Sequence, residues 1–436
     1  MNQKEAEQYL IDFQKREFPK LVDRTLKVSF GKKINAIIGP RRAGKTSYLH
    51  QIMREMIKTG RKKEDMIYLN FESTKLFDLN FKEIKEVVEI HKRLFPKTKN
   101  PVLFLDEPQN IQNWEKAVRE LDDEGYTIFI SGSSSKLLSK EIATSLRGRS
   151  ISYLLLPFSF REFLNLKEFP VSRLTSSEEK TKILALMDEY LEFGGFPEVV
   201  LEQNKDTKLK IIESYLDLTV YKDIVERHGI KDSMLIKWLI KSVASSYTKE
   251  ISINKIYDTL KSQGRKISKD ELYTYASLLN DSLFALYLPK FSWSARKREP
   301  VNKVFLCDTG FVKMIEIGRD AGKKMENAFY LEMLRRKSPV IEHFFWKNVQ
   351  HEEVDLIVKE GAKITHLIQI SKELDNPELK EREIRPLLKA SKELKCDELA
   401  IITEDYEAEE DAEWRGIKGK IKYVPLWKWL LMAEQQ

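Results

Sequence analysis

The stretch GPRRAGKT at residues 39–46 decides the fold, because its glycines, lysine and threonine have the spacing of a phosphate-binding loop. The apolar run INAII at 34–38 precedes it, and a helical pattern over about 45–59 follows. In this context the glycines let backbone N–H groups face phosphate oxygens, and the helix adds its positive amino terminus. The predicted nucleotide-binding residues are Gly39, Pro40, Arg41, Arg42, Ala43, Gly44, Lys45, Thr46 and Ser47.

A pair of acidic residues supplies the second element of this site. The apolar run VLFL at 102–105 delivers Asp106 and Glu107 to its carboxyl end, where open α/β sheets bind ligands. We expect Asp106 and the Thr46 hydroxyl to hold Mg²⁺, and Lys45 to reach the β- and γ-phosphates. Glu107 is expected to orient and deprotonate the attacking water. A surface acidic pair is the alternative interpretation.

Two further candidates follow the strand-like run TIFI at 127–130. Ser131 or Ser133 is expected to act as a sensor that positions the water, or else only to cap the next helix. Arg147 or Arg149 is the candidate arginine finger, which would stabilise charge on the phosphoryl group bound by a neighbouring subunit. That role predicts a homo-oligomer, a dimer or a ring, whereas a surface salt bridge is the alternative.

Composition limits the class of protein. The chain has 436 residues, of which 42% are hydrophobic and 33% charged, with a net charge of +7. Its two cysteines exclude a disulfide scaffold and a cysteine zinc site, and they fit a reducing, cytoplasmic location. No apolar run of about 18 residues occurs, so no membrane association is expected. Strand-like runs that alternate with helical stretches indicate an α/β fold with a parallel sheet.

Five motifs in a fixed order resemble one family of archaeal and bacterial AAA-type ATPases. The motifs are GPRRAGKTS, FLDEPQNIQNW, FISGSSSKLL, SLRGRS and LLPFSFREFL, and the closing KYVPLWKWLL resembles the archaeal branch. The resemblance implies ATP and Mg²⁺ as cofactors. It also implies an AAA-type P-loop core at 1–160, a helical lid and winged-helix region at 161–320, and a restriction-endonuclease-like domain at 321–436.

The middle region suits a winged helix. Helices are expected at about 233–246, 252–262 and 268–280, before strands at 284–288 and 301–306. The connection 290–303 is basic, with aromatic residues interleaved, and it is the proposed contact with DNA phosphates. The third helix is acidic, so base readout is not expected. A winged helix used only for packing is the alternative. The basic and aromatic residues are Lys290, Phe291, Trp293, Arg296, Lys297, Arg298 and Lys303.

The last region departs from the nuclease pattern that it resembles. Glu326 lies on a predicted helix and Asp355 begins a predicted strand, as a metal-dependent nuclease requires. Gln369 stands in place of the second acid and Ser371 in place of the lysine. We therefore expect an inactive domain kept for nucleic-acid binding or assembly. The seven acidic residues within 404–413 are expected to form a solvated loop.

The sequence favours a Mg²⁺-dependent ATPase that converts ATP to ADP and phosphate to drive or gate a conformational change on DNA. A nucleotide-gated binding module for DNA or protein, with slow hydrolysis, is the second hypothesis. An active Mg²⁺-dependent nuclease is the third.

Overall fold

The strand before the phosphate-binding loop lies inside a five-stranded sheet. In the computed structural model the strands are β1 (Ile34–Ile38), β2 (Met66–Asn70), β3 (Val102–Asp106), β4 (Ile128–Gly132) and β5 (Ser150–Leu154). Their order is β2-β3-β4-β1-β5, and every pair is parallel. The predicted parallel α/β core is confirmed. The pattern did not predict β5, because its sequence SISYL is polar and half-exposed at the sheet edge.

Two units make up the chain, one comprising residues 1–156 with 281–283, the other 157–280 with 284–436. The structure describes residues 3–19, 22–31, 33–76, 79–132, 146, 148–170, 176–293, 301–315, 320–374 and 376–432. Within those ranges, no helix combines the length and the apolar character needed to cross a membrane.

Helices cover both faces of the first sheet. They are α1 (Gln3–Lys15), α2 (Lys45–Lys58), α3 (Phe81–Leu94) and α4 (Trp114–Asp123). Side chains alternate along a strand, so Ile34, Ala36 and Ile38 join the apolar cluster that α1, α3 and α4 share. Ile37 faces the other way, into the cluster formed with α2. Every residue of β1 is buried, which fixes the position of the loop that follows it.

The second unit begins with helices. They are α5 (Phe160–Leu166), α6 (Ser177–Phe193), α7 (Pro197–Leu201), α8 (Lys205–Leu218), α9 (Ser233–Ser245), α10 (Ile253–Ser262), α11 (Lys269–Asp281) and α12 (Gly310–Ile315). Helix α6 ends at Gly194, whose φ of 77° favours glycine. Asp308 closes this turn by accepting from the Gly195 N–H at 2.7 Å and the Gly310 N–H at 2.8 Å. Burial raises the pKa of Asp308 to about 7.

A small antiparallel sheet accompanies helices α9 to α11. Its strands are β6 (Glu250–Ile251), β7 (Ala285–Pro289) and β8 (Asn302–Leu306), in the order β6-β8-β7. The three helices and two strands predicted between 233 and 306 are therefore confirmed. Strand β6 is only two residues long, which is too short for a sequence pattern to indicate.

The carboxyl-terminal part contains a six-stranded mixed sheet. Its strands are β9 (Ile341–Lys347), β10 (Glu353–Glu360), β11 (Lys363–Ile370), β12 (Leu399–Thr403), β13 (Ala408–Trp414) and β14 (Ile417–Pro425), in the order β13-β14-β12-β11-β10-β9. Its helices are α13 (Ala321–Arg335), α14 (Pro377–Leu394) and α15 (Leu426–Leu431). Strands β9, β10 and β11 form an antiparallel meander, and β12 then pairs in parallel with β11.

The predicted solvated loop at 404–413 is wrong, because much of it forms the edge strand β13. Opposite charges directly across the β13–β14 ladder explain the difference, since such pairs stabilise antiparallel strands. The facing pairs are Glu409 with Lys422, Asp411 with Lys420, and Glu413 with Lys418. The net acidity of 404–413 therefore does not indicate its structure, because the lysines that neutralise it come later in the sequence, on β14.

Candidate functional site

The phosphate-binding loop joins β1 to α2 as expected. Gly44 precedes the helix with a φ of 93°, a left-handed conformation that glycine adopts at little cost. Lys45 is 5% exposed, and its Nζ donates to the carbonyl oxygens of Gly39 and Pro40, both at 3.1 Å. The ammonium group is therefore held inside the curve of the loop, where a bound phosphate would meet it.

Asp106 accepts hydrogen bonds from three hydroxyl groups at the carboxyl edge of the sheet. Parallel pairing places the ends of β2, β3 and β4 side by side. The Thr46 hydroxyl donates to Asp106 Oδ2 at 2.8 Å, the Tyr68 hydroxyl donates to the same oxygen at 2.9 Å, and the Ser131 hydroxyl donates to Oδ1. Burial raises the pKa of Asp106, although the hydrogen bonds from Ser131 and Thr46 act in the opposite direction. Tyr68 was not predicted from the sequence.

Glu107 turns back toward the loop lysine. Its φ of 55° is uncommon for a residue with a side chain and marks a sharp turn directly after β3. The carboxylate is largely buried, and Oε1 lies 3.6 Å from Lys45 Nζ. The Gln109 amide donates to its other oxygen. Glu107 therefore lies beside the loop and is held there by two side chains of its own chain.

These groups fit a magnesium nucleotide. A threonine hydroxyl and a carboxylate 2.8 Å apart are hard oxygen ligands of the kind that Mg²⁺ prefers. The buried ammonium of Lys45 and the amino terminus of α2 supply the positive charge that a phosphate group requires. Thr46 and Asp106 are thus the residues that would hold the metal, and Lys45 is the one that would contact phosphate.

The other predicted residues lie in different places. Arg41 forms an ion pair with Glu72 at 3.2 Å. Arg149 lies next to the start of β5, where its carbonyl accepts from the N–H of Ile34, the first residue of β1. Arg149 thus lies at the amino-terminal end of β1, whereas the loop follows its carboxyl-terminal end. Arg149 and Lys45 of the same chain are therefore at opposite ends of the sheet's strands and do not form one site. Its guanidinium pairs with Asp122 and Asp123. Ser133 and Arg147 lie outside the described residues.

The basic connection at 290–303 needs one correction. Lys303 was expected to face DNA, but it lies in β8, is 2% exposed and is surrounded by carboxylates. Phe291 packs edge-on against Phe344, with ring centroids 5.5 Å apart. Trp293 is 61% exposed. The predicted arginines and lysine at 296–298 lie outside the described residues, so only part of the connection can be placed.

Arg24 is a residue of the loop's surroundings that sequence reasoning missed. Its guanidinium donates to the carbonyl of Ala43, inside the loop, at 2.7 Å, and also to the carbonyl of Leu156. Its backbone N–H donates to Gln51 Oε1 at 2.8 Å. Arg24 therefore ties the loop to the chain that follows β5. A single arginine in a polar segment forms no motif, so no signal in the sequence indicates this role.

We expect Arg24→Met to weaken ATP binding by about tenfold, because it removes a charge-assisted hydrogen bond of about 1.5–3 kcal/mol from the loop. Since Arg24 positions the loop and does not touch the reacting atoms, KM should rise while kcat changes little. Steady-state kinetics measure both constants. Arg24→Lys should restore part of the affinity, and the exposed control Lys27→Met should leave it unchanged. A selective fall in kcat would contradict the positioning role.

Comparisons with known proteins identify the domain that contains the loop. A family model described as an AAA domain matches residues 31–164, and a domain of unknown function (DUF8612) matches residues 184–321. Uncharacterized protein MJ1544 of Methanocaldococcus jannaschii is 39% identical over 94% of this chain and 91% of its own length. An uncharacterized protein of Haemophilus influenzae is 30% identical over 78% of this chain and 83% of its own length.

Among solved structures, the Walker-type ATPase PABY2304 of Pyrococcus abyssi aligns with 72% of this chain and 96% of its own, at 13% identity and a TM-score of 0.42. The names of the two sequence relatives state no activity. The AAA-domain match covers the same residues as the five-stranded sheet and the loop that it holds. The chain therefore belongs to the family of the Methanocaldococcus jannaschii protein MJ1544 and carries an AAA-type P-loop domain in its amino-terminal unit.

Proposed function

We propose that this protein is a Mg²⁺-dependent ATPase that hydrolyses ATP to ADP and phosphate. The carrying observation is the convergence of an ammonium, two hydroxyls and two carboxylates at one edge of the parallel sheet. Such an edge is where open α/β sheets bind ligands. The converging residues are Lys45, Thr46, Asp106, Glu107 and Ser131.

Each residue has a role that follows from its position. When bound, Mg²⁺ supplies positive charge beside the β- and γ-phosphates. Lys45 offsets the negative charge of the phosphate oxygens, in exchange for its present contacts with the Gly39 and Pro40 carbonyls. Glu107 is the general base that takes a proton from the attacking water. Ser131 holds Asp106 in place through its hydroxyl.

The contacts of Glu107 favour a second candidate, a nucleotide-gated binding module with slow hydrolysis. Lys45 and Gln109 both engage the carboxylate. A general base held in this way must first be released from its partners before it can accept a proton. Hydrolysis would then depend on a rearrangement that a bound partner or a neighbouring subunit would trigger.

The fold of the second unit supports DNA as that partner. Helices α9, α10 and α11 and the sheet β6-β8-β7 are the structural elements expected of a winged helix, the motif proposed for residues 161–320. The exposed Trp293 lies within the connection, and the basic residues at 296–298 follow it in the sequence. We infer backbone contact with DNA, by phosphate neutralisation and stacking on the aromatic ring. The remaining residues, 321–436, are proposed to form an inactive nuclease-like domain.

Phosphate release from ATP by the purified chain tests the ATPase proposal. We expect turnover that EDTA abolishes and that excess Mg²⁺ restores. If Arg149 completes a neighbouring site, turnover per chain should rise with protein concentration, and Arg149→Ala should remove that rise. The control Arg119→Ala should keep it. A dilute monomer with full activity would refute the finger and the oligomer while leaving the ATPase intact.

DNA affinity measured with ATP, with ADP and without nucleotide separates the two candidates. A gated module predicts affinities that differ among the three states while turnover stays slow with or without DNA. An engine predicts turnover that DNA stimulates. Equal affinities and unstimulated turnover would remove DNA from the proposal.

A further inference from the structure

A lysine lies at the centre of the acidic cluster in the carboxyl-terminal part. Lys303 Nζ is 2.7 Å from Glu326 Oε1, 2.7 Å from Glu353 Oε1 and 2.8 Å from Asp355 Oδ1. An ammonium group has three hydrogens, and here three carboxylates receive them. Burial by itself would lower the pKa of Lys303, but the neighbouring acids raise it well above its ordinary value. The side chain of Lys303 is 2% exposed, and its ammonium group is therefore enclosed by these three carboxylates.

Two of the three acids around Lys303 form a further contact through their second carboxylate oxygen. The second oxygen of Asp355 accepts from the N–H of Ile370 at 2.9 Å. The second oxygen of Glu353 lies 3.4 Å from Lys347 Nζ. Two lysines thus share the charge of the cluster.

Gln369, which stands in place of the second nuclease acid, uses both atoms of its side-chain amide in hydrogen bonds. Gln369 Oε1 accepts from the Asp355 N–H at 3.2 Å, and its Nε2 donates to Glu383 at 2.7 Å. An amide that bridges two neighbours in this way supplies no negative charge for a metal.

The nuclease resemblance implies a divalent cation held by Glu326 and Asp355, and these residues do not fit one. Mg²⁺ needs near-octahedral oxygen ligands at about 2.0–2.1 Å, and the point that it would occupy is taken by Nζ. We propose that Lys303 is the resident cation of this cluster, so that the carboxyl-terminal domain takes no divalent metal and uses its acids to fasten strand β8.

The fastening joins two parts of the second unit. Lys303 belongs to β8 of the three-stranded sheet, whereas Glu326 lies on α13 and Asp355 on β10 of the carboxyl-terminal domain. The N–H of Phe291 adds a backbone hydrogen bond of 2.7 Å to the carbonyl of Phe345 on β9. A nuclease-like site has in this way become a structural anchor for the region proposed to contact DNA.

Binding of Mn²⁺ alone, followed by electron paramagnetic resonance, tests the proposal on the full chain. Every arm carries Asp106→Asn, so that the ATPase carboxylate does not contribute. With Lys303 present, adding Asp355→Asn should leave Mn²⁺ binding unchanged. Adding Lys303→Met should instead create a site that binds at least about tenfold more tightly. Asp355→Asn should remove that new site, and the exposed control Lys313→Met should create none.

Thermal melting guards against a variant that fails to fold. Lys303→Met leaves buried acids without their cation, so we expect it to melt at lower temperature and to recover when Mn²⁺ is added. The chain with Lys303 should show no such recovery. Mn²⁺ binding that depends on Asp355 while Lys303 is present would overturn the proposal, as would Mg²⁺-dependent nicking of DNA. A Lys303→Met chain that gains no site, or that folds neither with nor without Mn²⁺, would also count against it.

Discussion

Glu107→Gln should lower ATP turnover by at least about 100-fold, the contribution expected of a general base. Glutamine has nearly the same shape as glutamate, but its amide cannot accept a proton from water at neutral pH. Nucleotide binding should persist, because Lys45 and Thr46 are unchanged. Phosphate release measures turnover, and titration with a fluorescent ATP analogue measures binding.

The contacts of Glu107 sharpen this expectation. The substitution removes the 3.6 Å ion pair with Lys45, so ATP should bind the variant at least as tightly as it binds the native chain. Glu120→Gln is a suitable control, because Glu120 is an exposed residue of α4 that forms an ion pair with Lys85. It should keep full turnover. Unchanged turnover in Glu107→Gln would mean that another group activates the water.

The proposed ATPase site could be predicted largely from sequence because its parts are local. Residues 39–46 are contiguous, and Asp106 and Glu107 follow directly from an apolar strand. Knowing that parallel strands share a carboxyl edge was sufficient to bring the two segments together. The structure confirms the strands and the convergence of these segments at one edge.

The contacts missed by sequence reasoning all depend on distant segments. Tyr68 contacts Asp106 only because β2 pairs with β3. Arg24 lies in the irregular segment between α1 and β1 and contacts Ala43, which is distant in the sequence. Lys303 was assigned to a basic, DNA-facing connection on local composition, yet its partners lie on α13 and β10. A charged residue shows its environment only after the fold has brought its neighbours to it, so composition misassigned both Lys303 and the acidic strand β13.

Gly39→Ala should destabilise the amino-terminal unit by about 3 kcal/mol, at the upper end of the usual cost of overpacking. A Cβ at this position would lie 2.0 Å from the carbonyl oxygen of Leu155. Neither backbone can move freely, because the N–H of Leu155 donates to the carbonyl of Ile38 at 2.6 Å. The edge strand β5 and the start of the loop must therefore separate. Because this displaces the loop, ATP binding should be lost.

Gly31→Ala provides the matched control, because a Cβ there would meet only the Ser29 hydroxyl at 3.4 Å. It should change the free energy of unfolding by less than about 0.5 kcal/mol, as surface substitutions usually do. Urea unfolding followed by circular dichroism compares the two variants. Should Gly39→Ala unfold like the native chain and still bind ATP, the close approach of β5 to the loop would not be needed for the site. Loss of both properties, in that variant alone, would show that the first glycine of the loop serves strand packing as well as phosphate binding.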